Sequence, residues 1–265
     1  MSATPSKIPT LRKMTRASTH NDHPRRRERR FSFEDSMKER PILFSGAMVR
    51  ALLDGRKTQT RRVIKDQKIG ENYSHTLTDG RVHLEWLGTP SCGAGVWDVP
   101  EHSSQVASPY GVIGDRLWVR EAWRVGKPHD ETPPRDILPP LIERGQGVTV
   151  LYEAGGWRSI GPDGRVEPTY PDNELMPNWA GKRRPSMFMP RALSRITLEV
   201  TGVRVERLQD ISEQDATVEG VSIEADGDPI YPYTYAFAKL WEQLNGKGSW
   251  LADPWVWVVE FRRVQ

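Results

Sequence analysis

An apolar run from Pro41 to Phe44 gives way to Met48, Ala51 and Leu52, which fall at i, i+3 and i+4. Ser45 stands where an N-cap belongs and Gly55 where a helix ends, so the pattern predicts a short strand followed by a short helix. Further along, Leu117 and Val119 alternate with Trp118 and Arg120, as in a strand with two different faces. Val148 to Ala154 reads as another strand, and Arg195 to Val200 and Val203 to Arg207 as strand-like segments around Gly202. Ser212 with Asp215 resembles a capping box that opens a helix ending near Gly220. Tyr233 to Leu244 is a second helix with Gly246 as its stop, and Trp255 to Arg262 is the final strand. Between 66 and 108 there is little periodicity, although Val82 to Leu87 fits a strand. Lys127 to Pro140 and Gly155 to Pro190 are predicted to be loop. Short strands, long irregular segments and few helices predict an α+β fold, a partly closed β-barrel with peripheral helices. Its strands are expected near 42–44, 117–123, 149–153, 195–207 and 255–262.

Composition changes that picture at one end. Residues 1–36 show no apolar periodicity and carry nine Lys and Arg against four Asp and Glu. They are predicted to be a disordered basic arm, with the folded domain over 37–265. The whole chain has a net charge of +3, so residues 37–265 are net negative, and any nucleic-acid binding by the folded body needs a local patch. Three accounts of the arm stand side by side. It can bind phosphates; it can mimic a transit peptide, against which Arg25 to Arg30 is too dense; or Met37 is the true start. A mean hydropathy of −0.63 agrees with long polar loops. No run of about 18 apolar residues marks a membrane span. The single Cys92 excludes a disulfide framework, and the six histidines lack ligand spacing, so no metal or other cofactor is expected. A reducing, cytoplasmic setting follows.

The candidate chemistry is concentrated in Gly55-Arg56-Lys57-Thr58-Gln59-Thr60-Arg61-Arg62. One amine, two hydroxyls and three guanidinium groups fall within a predicted loop's length. Such a loop can bind phosphate, or place a lysine beside a threonine hydroxyl for nucleophilic chemistry. The same run also fits a solvated basic face that complements a helix C-terminus. Trp241, Trp255 and Trp257 are expected in the core. Trp118 and Trp123 flank Arg120-Glu121 and are candidates for a pocket wall, and Trp157, Trp179 and Trp250 sit in Gly-rich loops.

Pro41 to Ser45 followed by Gly55-Arg56-Lys57-Thr58-x-Thr60-x-Arg62 resembles the opening of an ASCH domain, a PUA-like β-barrel. Gly114-Asp115-Arg116-Leu117-Trp118-Val119-Arg120-Glu121 is similar to that fold's G-D-x-L-x-V strand. Ile196 to Leu208, then Ile211 to Gly220, and finally Trp255 to Arg263, resemble its later strands and helix. Leu43-Phe44-Ser45-Gly46 and Asn245 to Trp250 are similar to a longer form encoded in phages and prophages. Relative to the smallest members, segments near 65–110 and 126–185 look like insertions.

The small amidohydrolase members remove acetyl from N4-acetylcytidine. The resemblance to them implies catalytic roles for Lys57, Thr60 and Glu219. Arg56, Arg61, Arg62, Trp118 and Arg120 are then expected to hold a base or phosphate. The resemblance implies a nucleic-acid or modified-nucleotide binding protein, in a bacterial host's cytoplasm, whose partners are RNA, DNA or a nucleoside or nucleotide. Two alternatives remain beside it: an amidohydrolase acting on an acylated nucleoside, and a phage morphogenesis factor with a vestigial pocket. Glu219 also fits a solvated residue near a helix C-terminus.

Overall fold

The computed structural model describes residues 37–65, 73–78, 81–86, 104–106, 108–163, 165, 176–221 and 232–264; in the three short segments between 73 and 106 it describes the backbone alone. The predicted basic arm, 1–36, lies outside the described residues. The fold is α+β. Its centre is a five-stranded sheet of β1 (Glu39–Leu43), β2 (Gln59–Val63), β6 (Arg116–Arg120), β10 (Thr197–Arg207) and β11 (Trp255–Arg263), in the order β1-β6-β10-β11-β2. β1 runs parallel to β6 and the other pairs are antiparallel. Two three-stranded sheets accompany it. One is β3 (Tyr73–Thr78), β4 (Arg81–Trp86) and β5 (Ser104–Val106); the other is β7 (Trp123–Arg124), β8 (Val148–Tyr152) and β9 (Trp157–Ile160).

β11 is buried on both faces, which explains its nearly continuous apolar sequence. Trp255, Trp257, Val259 and Phe261 face one core, shared with Val49 and Leu52 of α1 (Gly46–Leu53). Val256 and Val258 face another, covered by Ala216 of α3 (Glu213–Val218) and by Phe237 and Trp241 of α4 (Tyr233–Asn245). β10 keeps its apolar residues on the first face by a bulge. Val200 pairs with Phe261 and Gly202 with Glu260, so one extra residue resets the alternation and Val203 and Val205 rejoin the core of Leu198 and Val200.

Local expectations hold where the signal is local. Ser45 caps α1, Ser212 caps α3, Gly55 takes φ +75°, and Gly246 follows the last residue of α4. Several expectations need correction. The central sheet is not a closed barrel, since among the described residues β1 and β2 are two unpaired edges. The expected strand 117–123 is two strands in two sheets. The chain turns at Glu121 and Ala122, because the Glu121 carboxylate faces inward to meet Arg195. Loop 127–140 gives rise to α2 (Leu138–Glu143), whose two prolines sit in its first turn, where their missing N–H groups cost nothing. The 155–190 loop contains β9, paired with β8. Most consequentially, Gln59 to Arg62 is strand rather than loop. These four polar residues and Val63 gain a ladder by pairing with the buried β11.

Candidate functional site

The segment after α1 is docked on the end of α3. The last carbonyls of a helix have no intrahelical donors. Here Thr58 N–H donates to Val218 O at 3.0 Å, and Lys57 Nζ donates to Glu219 O at 2.7 Å. The amine also donates to Glu219 Oε2 at 2.7 Å, and both side chains are buried, each residue being 2% exposed. Gly220 makes the approach possible. Its φ is +82°, and a Cβ there would fall 2.9 Å from Lys57 Cβ and 2.8 Å from Ala51 Cβ. Burial holds the Lys57 amine below the usual lysine range, against the pull of the Glu219 carboxylate.

Strand parity then sorts the cluster. Thr60 and Arg62 pair with Val259 and Trp257 and share their face, the α1 side. Gln59 and Arg61 pair with Glu260 and Val258 and face α4. Arg61 donates to Glu219 Oε1 at 3.3 Å, to Asp215 Oδ2 at 2.9 Å and to Glu206. Arg204 donates to the same Asp215 oxygen at 2.9 Å, to Glu206 at 3.1 Å and to Glu260. The Asp215 carboxylate is therefore taken up by two arginines; Ser212 accepts from Asp215 N–H at 3.0 Å as the cap.

A cleft of about 380 Å³ lies over Glu219, Thr60 and Arg62, walled by Phe44 and Tyr110 on one side and by Trp241 on the other. That volume is in the range of roughly 300–1,000 Å³ typical of small-molecule sites. Arg62 sits 5.2 Å from the Phe44 ring centroid and reaches across the cleft to donate to Leu43 O at 2.5 Å, while its Nε has no partner among the described residues. The Thr60 and Tyr110 hydroxyls make no hydrogen bond to a described residue, although both residues line the cleft. Burial pushes the Tyr110 phenol up, partly offset by Arg62, so it stays a neutral donor.

Five of the eight residues singled out from the sequence meet here: Lys57, Thr60, Arg61, Arg62 and Glu219. No hydrogen bond joins Lys57 Nζ to Thr60, because the amine is held by Glu219. The other three are elsewhere. Arg56 lies exposed outside the cleft, donating to Gly220 O at 3.3 Å and pairing with Asp54 at 2.9 Å. Trp118 and Arg120 alternate with the core residues Leu117 and Val119, so they emerge on the other face of β6. There the Arg120 guanidinium stacks 4.5 Å from the Trp118 ring and donates to Met187 O. Trp123 is wholly buried in the core under β8 and is not a pocket wall. Sequence reasoning missed Phe44, Tyr110 and Trp241 as walls. The usable signal was the i, i+4, i+7 spacing of Phe237, Trp241 and Leu244, of which only Trp241 was singled out, as core.

A second cleft, of about 560 Å³, is lined by Pro128, His129, Trp157, Pro177 and Trp179 beside β8 and β9. Among the described residues no group of three or more His, Cys, Asp or Glu side chains is placed to hold a metal, and no helix is long and apolar enough to cross a membrane. Comparison with family models, with curated proteins and with solved structures finds no match to this chain.

Proposed function

We propose that the protein binds a nucleobase, carried by RNA, DNA or a free nucleoside or nucleotide, in the cleft above Glu219, as a binding protein of ASCH/PUA-like type. What carries this reading is the convergence of aromatic walls, the Arg62 guanidinium and two unpartnered hydroxyls over a carboxylate already paired with Lys57 and Arg61. A base needs ring faces to stack on and polar groups at its edge. Charge supports an uncharged ring rather than a phosphate inside the cleft. The cations Lys57, Arg61, Arg62 and Arg204 are matched in number by Glu206, Asp215, Glu219 and Glu260. The assembly of the ASCH-like blocks into one five-stranded sheet is what supports the family reading. The test is calorimetric titration of adenosine, cytidine, guanosine, uridine and short RNA and DNA oligomers into the protein and into Arg62→Ala. The expected result is binding by the wild type that weakens in the variant. Absence of binding by every probe at about 1 mM, which leaves less than roughly 4 kcal/mol of affinity, would remove the reading.

A second reading is hydrolysis of an acylated base such as N4-acetylcytidine, and the depressed Lys57 amine beside a cleft that contains the Thr60 hydroxyl is in its favour. Thr60 Oγ1 attacks the acetyl carbonyl while neutral Lys57 takes its proton. The C–N bond breaks as the exocyclic nitrogen is protonated, and water then releases acetate from Thr60. The Lys57–Glu219 contact has to open first. Release of cytidine that is lost in both Lys57→Ala and Thr60→Ala supports this reading; no release by the wild type removes it.

A further inference from the structure

The cleft occupies the gap between the two edges of the central sheet. Among the described residues β2 has β11 on one side and no strand on the other. Its ladder fixes which groups face the gap. Thr58 O accepts from Phe261 N–H at 2.9 Å, and Ile64 N–H donates to Trp255 O at 3.0 Å. Residues 58, 60, 62 and 64 therefore turn their main-chain groups to β11, and the alternation of an antiparallel pair turns those of Arg61 and Val63 away from it. Arg61 and Val63 both line the cleft, and their outward main-chain groups meet no described partner. Among the described residues the β1 edge comes near without pairing, and the Arg62 guanidinium crosses to Leu43 O.

A strand edge left open presents donors and acceptors that proteins otherwise cover or pair. On such an edge the C=O of one residue and the N–H of the residue two further on lie side by side. Together they match any planar ring that presents an adjacent donor and acceptor. An amidine edge offers an exocyclic amine and a ring nitrogen; a lactam edge offers an N–H and a C=O. We propose that Arg61 C=O and Val63 N–H read the hydrogen-bonding edge of the bound base, the ligand pairing with β2 in place of a sixth strand. This rests on the base-binding reading above. The ring then lies in the plane of the β2 edge, between Phe44 and Tyr110 on one side and Trp241 on the other. All four standard bases carry such an edge. The main chain therefore tests whether the edge is free, and Thr60 and Glu219 are left to choose among bases.

The test uses neutral pairs of nucleosides that differ at this edge: uridine and 3-methyluridine, guanosine and 1-methylguanosine, adenosine and N6,N6-dimethyladenosine, cytidine and N4,N4-dimethylcytidine. It also uses Val63→Pro, which deletes the N–H at an edge position that tolerates proline, against Val63→Ala, which keeps it. Whichever nucleoside binds, its edge-blocked counterpart is expected to bind about tenfold more weakly or worse, as is the parent nucleoside to Val63→Pro relative to Val63→Ala. If a nucleoside binds while its blocked counterpart and Val63→Pro bind equally well, the main-chain inference is overturned and base binding stands. If no nucleoside binds the wild type, base binding itself fails and takes the inference with it. Should Val63→Pro not fold, the paired nucleosides decide alone.

Discussion

Glu121 and Glu219 are both buried against cations, and their surroundings differ. Glu121 meets Arg195 through two hydrogen bonds of 2.8 and 2.9 Å, and the guanidinium lies 4.1 Å from the Tyr152 ring. Both residues are buried, and neither lines either of the two clefts described above. Glu121 sits where the chain leaves β6 for β7, so this pair staples the central sheet to the sheet of β7, β8 and β9. Glu219 is as buried as Glu121, yet it shares Lys57 with a main-chain carbonyl and Arg61 with two other carboxylates, and it borders a cleft. Burial bears on opposite members of the two pairs: it raises the Glu121 carboxyl and lowers the Lys57 amine. A buried charge on its own therefore does not mark a site. What distinguishes Glu219 is its neighbours, hydroxyls with no described hydrogen-bond partner and open space, and it is there that a binding site is proposed.

Removing one partner tests what the two pairs have in common. Glu121→Ala and Glu219→Ala each strand a buried cation, and each is expected to cost about 3–5 kcal/mol of unfolding free energy in urea titrations. The double replacements separate them. Glu121→Leu with Arg195→Met should recover most of that loss and leave nucleoside binding intact, whereas Lys57→Met with Glu219→Leu should abolish binding even where stability returns. Loss of binding in the first double variant would mean that the staple is part of the site.

Gly220→Ala comes next, with no counterpart at the staple. A left-handed conformation together with the overlap on Lys57 should cost about 2 kcal/mol, read as a lowered melting temperature. A variant as stable as the wild type would show that the Lys57 segment is not packed on Gly220 as described.

Thr60→Val should change stability by less than about 1 kcal/mol, because the hydroxyl it removes makes no bond to a described residue, while weakening nucleoside binding about tenfold. Equal binding by Thr60→Val would leave the hydroxyl outside the ligand's reach.

The smallest effect is the response to pH, and its sign differs between the pairs. Lys57 titrates lower in the folded chain than its ordinary 10.5, so the unfolded chain holds more protons in between, and stability from this group rises as pH climbs toward that value. Glu121 titrates above its ordinary 4.5 when folded, so the folded chain holds more protons there, and stability from it falls as pH rises through that window. Urea titrations across pH should show the alkaline slope lost in Lys57→Met and the acid-side slope lost in Glu121→Gln. Slopes unchanged by either substitution would contradict the assignment.

Much of this was legible along the chain. The caps at Ser45 and Ser212, the ends at Gly55 and Gly246, and the helix Tyr233–Asn245 depend on residues within a turn or two of one another, so local pattern suffices for them. Lys57, Thr60 and Glu219 were singled out from the order of short sequence blocks. Their side-chain chemistry is their own, but the 2.7 Å contact between residues 162 apart exists only because Gly220 lets two segments touch. Partner choice decided the rest. Gln59 to Val63 carries no strand pattern and becomes one because β11 offers a ladder; that pairing sends Arg61 to one face and Arg62 to the other. Trp118 and Arg120 were read correctly as alternating with Leu117 and Val119, but which of the two faces met the cleft could not be told from alternation alone. Strand periodicity fixes that two faces exist, and only the packing of α1 and α4 against the sheet determines which face closes over which core and which edge borders the cleft.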